Sequence, residues 1–213
     1  RKQTQFAMKN VNFEKEKRKN DVSNNNDDDD NDFEGFGSID RHGNSIYLYD
    51  EINRPISLSL NKSIRSLNLN LSLKANELNI KLPEIYIYIN SFGGSFFDAM
   101  SSVDYILKSK ATVNTIIDGC AASAATMISI VAKNRYINRH AYMLLHQMSG
   151  GAWGNFQQIE DEYKNCSNVM KMIKRMYAKY TKIPSKKLKE ILKHDLWLTA
   201  KECKKYGIVD EII

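Results

Sequence analysis

From Glu84 onward the chain alternates β-rich apolar runs with stretches of helical period. "EIYIYIN" (84–90) mixes isoleucine with tyrosine and stops at Ser91-Phe92-Gly93-Gly94-Ser95, which predicts a strand ending in a turn. "FFDAMSSVDYILKSK" follows and puts Phe96, Met100, Val103 and Leu107 on one helical face. "TVNTIID" (112–118) predicts a second strand, Gly119 a sharp turn, and "ATMISIVAKN" (125–134) an apolar helix. "AYMLLH" (141–146) predicts a third strand. Phe156, Ile159, Tyr163, Cys166, Met170, Ile173, Tyr177 and Tyr180 then alternate spacings of three and four, one continuous apolar seam on a long helix. "SKKLKEILK" after Pro184 predicts a short helix, and Thr199 with Glu202 forms a capping box that opens another, closed at Gly207.

Upstream the pattern is less decisive. Ile46–Tyr49 predicts a short strand. In 54–79, "RPISLSLNKSIRSLNLNLSLKANELN", alternating Leu-Asn-Leu favours strand while length and position favour helix, and both readings stand. Residues 1–40 form a low-complexity segment with a run of aspartate and asparagine. It offers too little apolar surface to offset its ordering entropy, so a disordered tail is expected there and one folded domain over 41–213. Repeated strand-helix-strand order predicts a right-handed parallel α/β domain.

Composition narrows the function. The 213 residues carry a net charge of +6, with 42% hydrophobic and 26% charged residues, an ordinary globular balance. The lysines spread over helical faces without the glycine-aromatic-basic interleaving of an RNA-binding sheet, so no nucleic-acid partner is expected. No apolar run approaches the roughly 20 residues of a membrane span, and the start lacks the apolar core of a secretory signal. Cys120, Cys166 and Cys203 are three well-separated cysteines without a CxxC pair. Buried thiols in a reducing compartment, cytosol or organelle matrix, are expected, with neither a disulfide frame nor a metal site.

In a parallel α/β domain, ligands meet the carboxyl ends of the strands. Three features fall there: Gly93-Gly94, Ser123 and His146. Gly93-Gly94 lets a backbone N–H approach a ligand, though an ordinary strand-to-helix turn needs the same glycines. Ser123, in "DGCAASAAT", sits among small neighbours at a helix start, where N–H groups and the helix dipole favour an oxyanion. Close helix packing would select the same small residues. His146 ends an apolar strand, an odd position for a titratable ring unless it faces a site, although a hydrogen-bonded core histidine is the plainer reading. His42 and His140 belong to turns or loops. Asp195, before Leu-Trp-Leu, is a carboxylate that needs a partner.

Taken in order, "YIYINSFGGS", "DGCAASAAT", "LLHQMSGG" and "HDLWLTAKECKKYGIVDEI" resemble the ClpP family of self-compartmentalised serine peptidases, whose stretches read roughly YINSPGGS, GMAASMGA, MIHQPLGG and DRFLSAPEAVEYGLVD. The likeness runs from about Ile46 to Ile213. It implies a crotonase-like spiral of parallel strands with flanking helices and a long "handle" helix. By position it implies Ser123 as nucleophile, His146 as general base, Asp195 as its orienting carboxylate, and the Gly94 and Ala124 N–H groups as oxyanion hole. It further implies unfolded polypeptide substrates held as an added β-strand, homo- or hetero-oligomeric heptameric rings stacked to a tetradecamer, and an AAA+ unfoldase that uses the ATP. No cofactor is implied for the chain itself. Phe92 and Met148 replace prolines of the family stretches, and Ala125 a common glycine. An inactive subunit of a mixed ring is one alternative. A crotonase-fold acyl-CoA hydratase or isomerase is another, disfavoured because neither the glycine nor the serine motif carries a glutamate.

Overall fold

The computed structural model describes residues 39–213. The low-complexity segment therefore lies outside the described residues, apart from Ile39 and Asp40. In chain order the elements are β1 (Asp40–His42), β2 (Ser45–Leu48), α1 (Arg54–Leu78), β3 (Ile85–Ser91), α2 (Phe96–Leu107), β4 (Val113–Ala122) and α3 (Ala124–Ile130). Next come β5 (Asn134–Ile137), β6 (Tyr142–Leu144), α4 (Phe156–Tyr180), α5 (Ser185–Ile191), β7 (Trp197–Thr199), α6 (Ala200–Lys205) and β8 (Glu211–Ile212). The sheet runs β1-β2-β3-β4-β5-β8, with β6 branching from β4 and carrying β7. Only the β1/β2 and β6/β7 pairs are antiparallel.

The open choice over 54–79 resolves as helix, and its ends decide it. The Asn53 side chain accepts the Ile56 N–H at 3.0 Å, Pro55 occupies the first turn, and Asn79 closes the helix at φ 50°. The Leu-Asn alternation is then divided by the helical period. Leu67 is buried and Leu71 packs on the core, whereas Leu69 and Leu73 face solvent. Ile56, Leu60 and Ile64 complete the inward stripe against Ile87 and Ile89 of β3 and Ile117 of β4. Each fully buried isoleucine of this core contributes about 1.5–3 kcal/mol relative to exposure.

Three expectations change. Of the expected face of α2, Val103 is buried and Phe96 and Met100 pack partly on the core, but Leu107 is exposed; Ala99, Ser102 and Ile106 are the other buried positions. The Ser57 and Ser102 hydroxyls meet at 2.8 Å, so small polar residues rather than Phe96 and Leu107 fill the close crossing of α1 and α2. The chain does not turn at Gly119; β4 runs on to Ala122. There it exchanges partners, pairing with β5 over 114–117 and with β6 over 120–122. A side chain at Gly119 would meet Asn90 Oδ1 at 2.6 Å, so this glycine serves close packing inside a strand. Finally, the seam of α4 buries only its C-terminal part, at Ile173, Met176 and Tyr177. Phe156, Ile159 and Tyr163 are exposed. The α6 capping box forms as expected, and Gly207 follows at φ 60°.

Candidate active site

Strand register assembles the site. Residues Tyr142, Met143 and Leu144 pair antiparallel with Thr199, Leu198 and Trp197. Continuing that register two residues past β6 sets His146 opposite Asp195, and His146 Nδ1 lies 3.5 Å from Asp195 Oδ1. Ala122 pairs in parallel with Leu144, and the Ser123 N–H, one residue beyond, donates to the Leu144 carbonyl at 2.9 Å. Ser91 pairs with Ala121, so Gly93, two residues on, comes level with Ser123. The ends of β3, β4 and β6 and the entry to β7 thus deliver Gly93-Gly94, Ser123, His146 and Asp195 to one sheet edge.

Ser123 has φ 52° and ψ −123°; among the described residues only Asn79 shares its positive φ without being glycine. Such backbone strain, about 1–3 kcal/mol, persists where the surroundings fix it. Here they are tight. A side chain at Gly93 would lie 2.8 Å from Ser123 Cβ, 2.6 Å from the Ala122 oxygen and 3.0 Å from the Ala124 nitrogen. A methyl at Gly94 would come within 2.2 Å of the Ile52 oxygen. Both glycines adopt positive φ, 97° and 141°. The glycine loop is clamped on its far side by Ile52, whose N–H donates to Gly93 O and whose carbonyl accepts from the Ser95 N–H, each at 2.7 Å. The Gly94 and Ala124 N–H groups have no acceptor among the described residues.

The carbonyl of Ser123 is held as firmly. It accepts the Thr126 N–H at 3.0 Å and the Thr126 hydroxyl at 2.6 Å. The Thr126 hydroxyl also lies 2.6 Å from Tyr177 Oη of α4. Both side chains are buried. Burial pushes the Tyr177 phenol well above its ordinary range, so it remains protonated. Neither residue stands out in the sequence. Thr126 reads as part of an apolar helix and Tyr177 as one position of a seam.

The acid-base pair is looser. His146 is mostly covered, at 20% side-chain exposure, while Asp195 is 80% exposed and makes no other ion pair among the described residues. Ser123 Oγ makes no hydrogen bond to the ring in this arrangement. Of the Leu-Trp-Leu that follows Asp195, only Leu198 is buried; Leu196 and Trp197 are exposed. Phe92 reaches over Gly119 and Cys120 to Trp197, ring centroids 6.1 Å apart and nearly perpendicular. With Tyr142 these residues line a shallow hollow of about 320 Å³ beside the site. Met148, free of the proline constraint, directs its N–H to Met170 Sδ at 3.2 Å. Ala125 is fully buried.

The remaining candidates stay apart from this edge. His42 ends β1 and His140 lies in a turn, both exposed. Asp118 is bound by the Tyr49 hydroxyl and the Asn138 amide. The cysteines are free, and Cys203 alone is buried; burial pushes its thiol up to about 12. Among the described residues no cluster of three or more His, Cys, Asp or Glu side chains could hold a metal, and no helix is long and apolar enough to cross a membrane.

Comparison with known proteins agrees with this architecture. A family model described as Clp protease matches residues 43–213. The chain is 33% identical over 134 residues to an ATP-dependent Clp protease proteolytic subunit of Oltmannsiellopsis viridis, covering 62% of this chain and 69% of that protein. The solved structure of the ClpP1 N165D mutant from Listeria monocytogenes superposes with a TM-score of 0.69 and 28% identity, covering 80% of this chain and 91% of that one.

Proposed function

This chain belongs to the Clp protease family, and we propose that it is a serine endopeptidase hydrolysing unfolded polypeptide through Ser123, His146 and Asp195. The observation that carries this reading is the shared sheet edge: strand registers bring a strained serine, a histidine facing a carboxylate, and a glycine loop packed on the serine to one place. Structural packing alone gives no reason for serine at φ 52°, where glycine is unstrained.

His146 accepts the Ser123 proton as Oγ attacks the peptide carbonyl, and Asp195 orients the ring and stabilises the imidazolium. The carbonyl oxygen, now negative, lies against the Gly94 and Ala124 N–H groups, and the dipole at the start of α3 adds to the field there. His146 returns its proton to the leaving amine. Water, deprotonated by the same ring, then hydrolyses the acyl-enzyme. The 3.5 Å His146–Asp195 separation and the open Ser123–His146 pair describe a resting geometry that tightens when substrate binds. The peptide lies as an added strand between the glycine loop and the segment after His146.

The exposed apolar seam of Phe156, Ile159 and Tyr163 supports self-association through α4. Stacked seven-membered rings, enclosing the sites and fed by an ATP-driven unfoldase, fit that seam and the family. The chain itself needs no cofactor for the steps above. Hydrolysis of a fluorogenic peptide tests the reading. Ser123→Ala and His146→Ala are each expected to lose at least about a thousandfold in kcat. A Ser123→Ala protein as active as the parent sinks it.

A further inference from the structure

We infer that Thr126 and Tyr177 are positioning residues that hold one half of the oxyanion hole in its working orientation. The inference rests on the catalytic reading above and deepens it. A peptide unit is planar, so the Ser123 carbonyl and the Ala124 N–H are fixed antiparallel to one another. Whatever grips the carbonyl therefore aims the N–H. The grip is unusually complete: the Ser123 oxygen accepts both the Thr126 N–H and the Thr126 hydroxyl, at 3.0 and 2.6 Å.

The direction of the second link follows from proton counting. A carbonyl only accepts, so the single Thr126 hydroxyl proton is committed to Ser123. Thr126 Oγ1 must then accept from Tyr177 Oη, 2.6 Å away. The phenol is buried and protonated, which keeps it a donor. A donor at Oγ1 holds the hydroxyl in the rotamer that points its own proton at Ser123, and chained hydrogen bonds strengthen one another. The relay runs from α4 through α3 to the peptide whose N–H forms one half of the oxyanion hole.

The alternative conformation is concrete. Ser123 holds ψ −123° at positive φ, a setting that costs energy. Without the threonine hydroxyl the Ser123–Ala124 peptide can rotate, carrying the Ala124 N–H out of the hole while Ser123, His146 and Asp195 remain. Such a defect should affect the oxyanion and leave peptide binding intact.

The test pairs a peptide aldehyde with the corresponding unreactive peptide amide. Ser123 Oγ adds to the aldehyde carbon, its proton passes to His146, and the former carbonyl oxygen becomes the oxyanion. Thr126→Val is expected to weaken aldehyde binding and lower kcat on a peptide ester by at least about tenfold, below the loss for deleting a whole oxyanion donor. KM and affinity for the unreactive amide should stay within about twofold of the parent. Thr126→Ser keeps the hydroxyl and should fall within about threefold of the parent throughout. Because the links act in series, Thr126→Val combined with Tyr177→Phe should be no slower than Thr126→Val alone. Two results overturn the relay: a parent-like Thr126→Val, or equal losses for aldehyde and amide. A parent protein that forms no aldehyde adduct, or an adduct that survives Ser123→Ala, overturns the catalytic reading and the relay with it. If Thr126→Val folds poorly, Tyr177→Phe alone removes the donor to Thr126 Oγ1 and carries the same comparison: a larger loss for the aldehyde than for the amide supports the relay, and parent-like binding of both overturns it.

Discussion

Ser123 occupies a conformation that suits glycine, and this separates stability from function at a single residue. Replacing it with alanine removes the hydroxyl but keeps a Cβ at φ 52°. Replacing it with glycine removes both hydroxyl and strain. Ser123→Gly is therefore expected to be more stable than Ser123→Ala by about 1 kcal/mol, net of the entropy glycine adds to the unfolded chain. Both proteins should lack activity. Denaturant titration of the pair reads the difference, and a Ser123→Ala protein more stable than Ser123→Gly would mean that the backbone here is unstrained. The same residue marks a limit of local sequence. Positive φ at a serine leaves no trace in "DGCAASAAT"; what local sequence shows is the close packing, in the small residues there and in Gly93, where a side chain would lie 2.8 Å from Ser123 Cβ.

At the scale of elements, α1 offers the sharpest check. If 54–79 were a strand, Leu67 and Leu69 would share a face; in the helix one is buried and the other exposed. Leu67→Ala should cost about 2–4 kcal/mol and Leu69→Ala less than about 0.5 kcal/mol, measured by denaturant unfolding. Equal losses would contradict the helix. Helices were legible where period or caps marked them: α4 by its seam of threes and fours, and α6 by the reciprocal Thr199–Glu202 box. The short strand β5 was not. β5 carries Asn134 and Arg135, whose polar side chains are paired, Asn134 with Asn114 and Arg135 with Asp210. Pairing across the sheet, unavailable to a local reading, removes the objection to polar residues in an inner strand. Register explains the site's partial legibility in the same way. Ser123, His146, Asp195 and Gly94 were found through motif order, yet their meeting depends on β4 passing through Gly119 and changing partner, where the sequence suggested a turn. Thr126 and Tyr177 were missed because a hydroxyl in an apolar helix looks like packing until its partner is known.

For the whole molecule, the division of α4 matters most. Its C-terminal half is fastened to this chain by Ile173, Met176 and Tyr177, and its N-terminal half presents Phe156, Ile159 and Tyr163 outward. Ile173→Asp should therefore unfold the chain, by burying an unpaired carboxylate. Ile159→Asp should spare the fold and reduce the assembled mass seen by native mass spectrometry. A full-mass Ile159→Asp assembly would remove α4 from the interface. Tyr177 lies on the same helix as this seam, so the helix proposed to carry association would also carry the proposed second link to the Ser123 carbonyl.

The central claim is that Ser123 is an activated nucleophile, and covalent labelling addresses it without assuming a substrate. The assembled protein is treated with a fluorophosphonate, whose phosphorus accepts Ser123 Oγ as fluoride leaves, and the modified peptide is located by mass spectrometry. The account predicts a single adduct on Ser123, absent from Ser123→Ala and strongly slowed in His146→Ala. An adduct formed equally by Ser123→Ala, or no adduct on Ser123 in the intact assembly, would contradict it.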